Sequence, residues 1–397
     1  MRLLFVHERF GAFGGAEANI LLTAQELRRR GHSVAIAHGG GEGGQNEWLE
    51  VFSDRVPLRE SNGADELGRA LKRIQPDVVY LHKFSDPGVL STLGTCGRPV
   101  VRMVHDHDLY CMRSYKYNVL SRRICTRAAS AYCVFPCGAP IGRAPGKGFP
   151  LRWVSYSAKR AEIEMNKNFH RLVVASEYMR NELLRNGFDI GQIETHAPVP
   201  RPAVSPDAPS FSRRNLIVYS GQIVRGKGVD VLLESLARVK SPFECLILGD
   251  GSQRGECELI SKRLGLEDRV HFAGFVPQRS IAETYRDASL AVMSSLWPEP
   301  FGAAGLEAMR SGLPVVAFDA GAISEWLLDG VNGFLVPWKD RDAFAEKVDI
   351  LLRDKALARR LGQNGRQFAD ERFNFSAYID GLEDLFSRAA VKDPSKP

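Results

Sequence analysis

Pro298-Glu299-Pro300-Phe301-Gly302-Ala303-Ala304-Gly305-Leu306-Glu307 follows the apolar run Leu290–Met293 and carries two carboxylates eight positions apart. Pro300 and Gly302 break the chain, and Ala303–Arg310 is rich in good helix formers, so the stretch reads as strand, turn and helix. Glu307 then lies about one turn inside the helix and Glu299 in the loop before it. Between them lie the unpaired N–H groups of the helix start and the positive end of its dipole, a ready site for a phosphate. A ligand with a hydroxylated ring on each side of a phosphate fits this layout, each Glu accepting from one ring. Two Glu at this spacing also suit a solvated helix face. The residues that follow decide between the two.

They run Ser311-Gly312-Leu313-Pro314-Val315-Val316-Ala317-Phe318, a helix stop and a buried strand, then Gly321-Ala322-Ile323-Ser324-Glu325-Trp326 and Asp329-Gly330-Val331-Asn332-Gly333-Phe334-Leu335-Val336. From Glu299 to Val336 the passage closely resembles the donor-binding region of the retaining glycosyltransferases of family 4. The resemblance implies the two-domain GT-B fold, two Rossmann-like parallel-sheet domains facing a central cleft. It implies a nucleotide-sugar donor, with Glu299 orienting the sugar, Glu307 the ribose, and the amides of Phe301, Gly302, Ala303 and Gly305 on the phosphates.

The rest of the chain is consistent with such a fold. Strand patterns (Leu3–His7, Ser33–His38, Asp77–His82, Pro99–Val104, Leu172–Ala175) alternate with helical ones (Ala16–Arg30, Asp65–Ile74, Glu177–Asn186), which argues for parallel sheets with crossover helices. Five prolines between Ala197 and Pro209 read as an extended linker. A second alternation follows: Leu216–Ser220, Val229–Val239, Glu244–Leu248, Glu256–Leu264, Val270–Phe272. The expected division is 1–198 for an acceptor-side domain with a basic, Cys-containing insertion at about 106–150, and 199–213 for the linker. Residues 214–373 form the nucleotide-sugar domain, and 374–397 a terminal helix, Phe375–Ala390, crossing back, with a loose tail.

Two further loops carry candidate ligands. Gly11-Ala12-Phe13-Gly14-Gly15 precedes a helix, and glycines there let a backbone approach a ligand, although a structural turn explains them equally. In the family this loop lies near the donor diphosphate, which assigns Gly14 and Gly15. Gly221-Gln222-Ile223-Val224-Arg225-Gly226-Lys227-Gly228 follows a strand and suits a diphosphate whose charge grows as the sugar departs. Lys227 matches the family's phosphate Lys; Gln222 stands where the family has Arg, with Arg225 the nearest replacement. Gly249-Asp250-Gly251 reads equally well as a plain turn. Within Val104-His105-Asp106-His107-Asp108, His105 best matches the family's His near the reacting sugar, with His107 as the other choice; Asp106-x-Asp108 also imitates the cation-binding D-x-D of the single-domain GT-A fold.

Composition sets the outer limits. At 397 residues, 44% hydrophobic and 25% charged, the chain has room for two globular domains. Met1–Glu8 reads as a first strand rather than a signal peptide, so the expected location is cytoplasmic, peripheral at the inner face of a membrane. From Arg102 to Arg160 eleven Lys/Arg face two acids, and this local +9 predicts a basic surface for anionic headgroups or a lipid-linked phosphate, a solvated surface being the bland alternative. No interleaved aromatic motif points to nucleic acid. Cys111, Cys125, Cys133 and Cys137 fall within 27 residues, where a structural zinc site, reduced thiols without a ligand, and disulfides or redox chemistry all remain open. The resulting expectation is a retaining hexosyltransferase, with His105, Lys227 and Glu299 catalytic and no cofactor required for the chemistry. Its acceptor is lipid-linked or a saccharide, as in cell-surface polysaccharide or glycolipid synthesis. A GT-B sugar-nucleotide epimerase and a non-catalytic nucleotide-sugar-binding protein are the alternatives.

Overall fold

The computed structural model describes residues 1–397 except 12–13, 41–45, 119–120, 144–150, 200–208, 212–213 and 392–397. The chain forms two compact units, one of Met1–Ser114, Thr126–Pro200 and Phe375–Pro397, the other of Tyr115–Cys125 and Arg201–Asn374. The strands along the first half are β1 (Arg2–His7), β2 (Ser33–His38), β3 (Asp54–Pro57), β4 (Val78–Leu81), β5 (Val100–Val104), the hairpin β6 (Tyr117–Asn118) and β7 (Arg123–Ile124), the hairpin β8 (Ile141–Arg143) and β9 (Leu151–Trp153), then β10 (Arg171–Val174) and β11 (Ile193–Thr195). The helices over the same stretch are α1 (Gly15–Arg29), α2 (Asn46–Val51), α3 (Gly63–Ile74), α4 (Pro87–Thr95), α5 (Tyr156–Lys167) and α6 (Glu177–Arg185).

The first unit's sheet has the order β11-β10-β5-β4-β1-β2-β3, all parallel. Its central strands are unbroken apolar runs, which are stable only where helices cover both faces. Leu4, Phe5, Val6, Val79 and Leu81 are accordingly buried. Side-chain caps start the covering helices: Asp86 accepts from the Val89 amide, Ser155 from Ala158 and Ser176 from Met179. The strand order turns back between β1 and β4. Loops leaving these two strands diverge and open a crevice at their carboxyl ends.

The second unit repeats the plan with β12 (Leu216–Ser220), β13 (Glu244–Leu248), β14 (Val270–Gly274), β15 (Leu290–Met293), β16 (Val315–Phe318) and β17 (Gly333–Val336). Its helices are α7 (Val229–Leu236), α8 (Arg254–Arg263), α9 (Gln278–Asp287), α10 (Ala303–Arg310), α11 (Arg341–Arg353) and α12 (Lys355–Arg372). The order β14-β13-β12-β15-β16-β17 is again parallel, with its switch point between β12 and β15. The loops after those two strands are the basic loop and the Pro298–Glu307 stretch.

α13 (Phe375–Ala390) belongs to the first unit. His196 donates through Nε2 to the Tyr378 carbonyl at 2.6 Å, Arg30 pairs with Glu383 at 2.6 Å, and Phe386 packs edge-on to Tyr80 with ring centroids 5.0 Å apart. The expected Pro-rich linker falls largely on residues 200–208 and 212–213, outside the described residues. The expected insertion at about 106–150 divides, because β6 and β7 pack with the second unit. There Tyr117, only 3% exposed, joins the apolar core.

Phe386 is fully buried, so Phe386→Ala is expected to cost about 3–5 kcal/mol in denaturant unfolding. An unchanged midpoint would contradict this packing.

Candidate functional site

At the second unit's switch point, one carboxylate oxygen collects three donors. Glu299 Oε1 accepts from Lys227 Nζ at 2.7 Å, from Trp297 Nε1 at 2.9 Å and from the Ser295 hydroxyl. Glu299 is 4% exposed. Burial alone would raise its pKa, but the Lys227 charge and hydrogen bond, then Ser295 and Trp297, bring it below the ordinary 4.5. Lys227 also lies 5.0 Å from the centroid of the Trp297 ring.

Glycines make this convergence possible. The Gly226 carbonyl accepts from the amides of Leu296 and Trp297, and a Cβ on Gly226 would stand 2.5 Å from the Trp297 ring. At Gly228, φ is +65° and a Cβ would lie 2.2 Å from the Ser294 carbonyl oxygen. Gly321 lets the loop after β16 bridge to Glu299, whose amide donates to the Ala320 carbonyl while its carbonyl accepts from the Ala322 amide. Both neighbours of Lys227 are therefore glycine because two loops meet there. Gly249 and Gly251 are likewise close-approach positions, against Gly221 and Ile223.

Glu307 lies in α10, and its charge, after burial, raises the pKa of Tyr285, which also bonds Ser220 at the end of β12. Gly302 caps α10 at φ +88°. The Gly305 amide donates to the Gly302 carbonyl at 3.0 Å, and a Cβ on Gly305 would stand 2.2 Å from Trp326. This corrects the expectation for Gly305: its amide is spent inside the helix, and the residue is glycine to admit Trp326. The Phe301 carbonyl accepts from Trp326 Nε1 at 2.6 Å, which fixes the turn. Ala303 and Ala304 occupy the open first turn of α10. Arg225 and Gln222 are exposed on the basic loop.

The first unit's switch point gathers three histidines, each at or just past the end of one of three adjacent strands. His7 closes β1, His82 follows β4 and His105 follows β5. His7 Nδ1 accepts from the Lys83 amide at 3.3 Å, so its Nε2 carries the proton and donates to Glu17 Oε1 at 3.4 Å. Burial opposes ionisation of Glu17, yet the His7 hydrogen bond leaves its pKa lowered. His82 Nδ1 and His105 Nε2 are 2.8 Å apart and the rings stack. Burial, reinforced by His7, pushes His105 down to about 3, and His82 also falls well below its ordinary value, so both rings are neutral. Gly14 and Gly15 start α1 beside Glu17; a Cβ on Gly15 would meet nothing within 4 Å, so packing does not demand glycine there.

Several expectations separate here. Asp106 and Asp108 both pair with Lys83, and Asp106 also accepts from the Asp108 amide, which closes the D-x-D reading. His107 is buried against the Tyr110 hydroxyl. The four cysteines are divided between the units, and no group of three or more His, Cys, Asp or Glu able to hold a metal occurs among the described residues. The basic run is not one surface. Arg102 is buried on Asn166, Lys116 is 2% exposed, Arg122 pairs with Asp230 at 2.7 Å, Arg113 donates to the Cys137 and Gly138 carbonyls, and Lys159 pairs with Glu162. Charge counted along a chain is not charge on a face. Ser295, Trp297, Tyr285, His7, Glu17 and His82 escaped the sequence reading; Trp297, two residues from Glu299, offered the nearest signal.

Residues 13–196 match the family Glycosyltransferase Family 4, and residues 201–368 match Glycosyl transferases group 1. A D-inositol 3-phosphate glycosyltransferase of Xylanimonas cellulosilytica is 32% identical over 46% of this chain and 44% of its own length. The lipopolysaccharide core biosynthesis glycosyltransferase LpsE of Rhizobium meliloti is 30% identical over 43% of this chain and 49% of its own. The chain thus spans less than half the length of these relatives. In fold it is similar to HepE of Anabaena, solved with UDP and glucose, at a TM-score of 0.74, 20% identity, and coverage of 98% of this chain and 100% of that one. No helix among the described residues is long and apolar enough to cross a membrane.

Because the folded pKa of Glu299 is lowered, its ionised form stabilises the fold above the ordinary value. That contribution is lost as pH falls through the folded value. Wild type should therefore lose stability more steeply than Glu299→Gln in urea unfolding as pH falls below 4.5; parallel profiles would contradict the buried carboxylate. Gly305→Ala is expected to destabilise by roughly 1–3 kcal/mol through overpacking against Trp326, whereas Gly15→Ala should stay within about 0.5 kcal/mol of wild type. Equal stability of the two variants would contradict the close contact.

Proposed function

The chain belongs to the glycosyltransferases of family 4, with the GT-B fold, and on that premise we propose that it moves a sugar from a nucleoside-diphosphate sugar to an acceptor hydroxyl with retention of configuration. The observation that carries this reading is the pair of half-buried Lys227 with buried Glu299 beside the start of α10. Glu299 is an ionised acceptor for sugar hydroxyls. Lys227, held at its side, supplies positive charge where the departing diphosphate gathers negative charge. The Ala303 and Ala304 amides and exposed Arg225 add donors that strengthen as that charge grows. Glu307, one turn further on, accepts from the ribose.

Front-face departure fits such a site: the leaving diphosphate takes the acceptor proton as the new glycosidic bond forms, with no covalent enzyme intermediate and no cofactor. His105, neutral at physiological pH, contributes a hydrogen bond rather than a charge. The acceptor we propose is a hydroxyl of a cell-surface glycan or glycolipid, a class to which the lipopolysaccharide core named for the Rhizobium protein belongs, whereas the Xylanimonas protein is named for D-inositol 3-phosphate, a polyol phosphate. Peripheral placement at an anionic membrane fits a lipid-linked acceptor, with Arg113 and Arg122 paired internally and Lys116 buried rather than facing it.

Thermal unfolding with UDP-, GDP- and ADP-sugars tests the donor, since a ligand of the folded state raises the midpoint. One base should stabilise clearly, and Glu307→Ala should weaken that nucleotide by about 1.5–3 kcal/mol, the worth of a charged hydrogen bond. No shift with any nucleotide sugar would contradict the reading.

A further inference from the structure

The second unit includes one segment from far outside its own half of the chain, the hairpin Tyr115–Cys125. Arg122 fastens it through Nη1 to Asp230 at 2.7 Å, in the first turn of α7, and through its carbonyl to Lys339. Tyr117 is buried in the unit's core and its hydroxyl accepts from Arg122 Nε at 3.2 Å. Lys116 and Arg122 adopt φ of +48° and +51°, a conformation that non-glycine residues keep only where surrounding contacts impose it. These anchors place Tyr115 flat on Trp297, with ring centroids 4.9 Å apart and planes at 21°. Trp297 in turn donates to Glu299 Oε1 and lies under Lys227.

We infer that Tyr115 is a positioning residue for the donor sugar: by clamping the Trp297 indole, which donates to Glu299 Oε1, it fixes the direction of the Glu299 carboxylate. This rests on the reading of Glu299 as the sugar's acceptor group. Without the clamp, the indole can rotate about its side-chain bonds, and Glu299 loses one of the three donors that hold Oε1. Tyr115 is 45% exposed, so its replacement leaves no cavity in a core. The bare nucleoside diphosphate, which lacks the sugar, is blind to this change.

The test compares full-length wild type with Tyr115→Ala and Tyr115→Phe, and with Arg122→Ala, which loosens the hairpin while keeping the ring. The probes are UDP, GDP and ADP, each alone and as its glucose conjugate, read by calorimetric Kd and by steady-state release of the nucleotide. Tyr115→Ala and Arg122→Ala should lower kcat/KM for the conjugate about fivefold to tenfold, the scale of one aromatic pair. The Kd of the bare diphosphate and the thermal midpoint of Tyr115→Ala should stay at wild-type values, and Tyr115→Phe should restore activity. Wild-type kinetics in Tyr115→Ala, or equal weakening of diphosphate and conjugate, would overturn the positioning role alone. A wild-type protein that binds none of the probes would contradict the donor reading and the positioning role with it.

Discussion

A carboxylate held ionised while almost wholly out of water is the constraint from which the second unit's loops follow. Burying such a charge is costly unless it is paired and fully hydrogen-bonded, and Glu299 Oε1 meets that demand with Lys227, Ser295 and Trp297. Three donors can converge on one oxygen only if the loops after β12 and β15 nearly touch. That proximity requires Gly226 and Gly228, while Gly321 lets a third loop brace the Glu299 backbone. The arrangement is pre-formed, so little reorganisation is needed as charge develops on a leaving group.

The first unit answers the same topology with different chemistry. Its switch point holds His82 and His105, buried enough to stay neutral, and His7, whose partner is Glu17. Neutral imidazoles donate and accept without adding charge. The flanking Lys83 pairs with both Asp106 and Asp108. The second unit's switch point is built around a charged pair, whereas the first unit's carries two neutral rings.

Much of this was legible in the sequence because doubly covered strands must be continuous apolar runs: Ser33–His38, Leu216–Ser220 and Glu244–Leu248 begin and end as read. α10 and α13 also match, each marked by its composition and flanks. Lys227 and Glu299 were found from their motifs, but not their mutual contact, since a spacing of 72 residues says nothing of distance. The histidine row needed the strand order, which brings β1, β4 and β5 side by side. Gly305 misled because a helix-start glycine suggests an available amide; its actual reason, the Trp326 ring, comes from another loop. The run from Arg102 to Arg160 misled because burial and pairing are tertiary properties. The Tyr115–Cys125 hairpin was invisible for the same reason: nothing local in it specifies which unit it joins.

In the proposed reaction Lys227 and Glu299 work as one coupled pair. A double-mutant cycle of Lys227→Met and Glu299→Gln, measured as kcat/KM for the nucleotide sugar that binds, tests this most directly. A coupled pair gives strong non-additivity, with the double variant little worse than the poorer single one and a coupling of about 1–3 kcal/mol. Additive losses would contradict it, because they would mean that the ammonium and the carboxylate act on the donor independently.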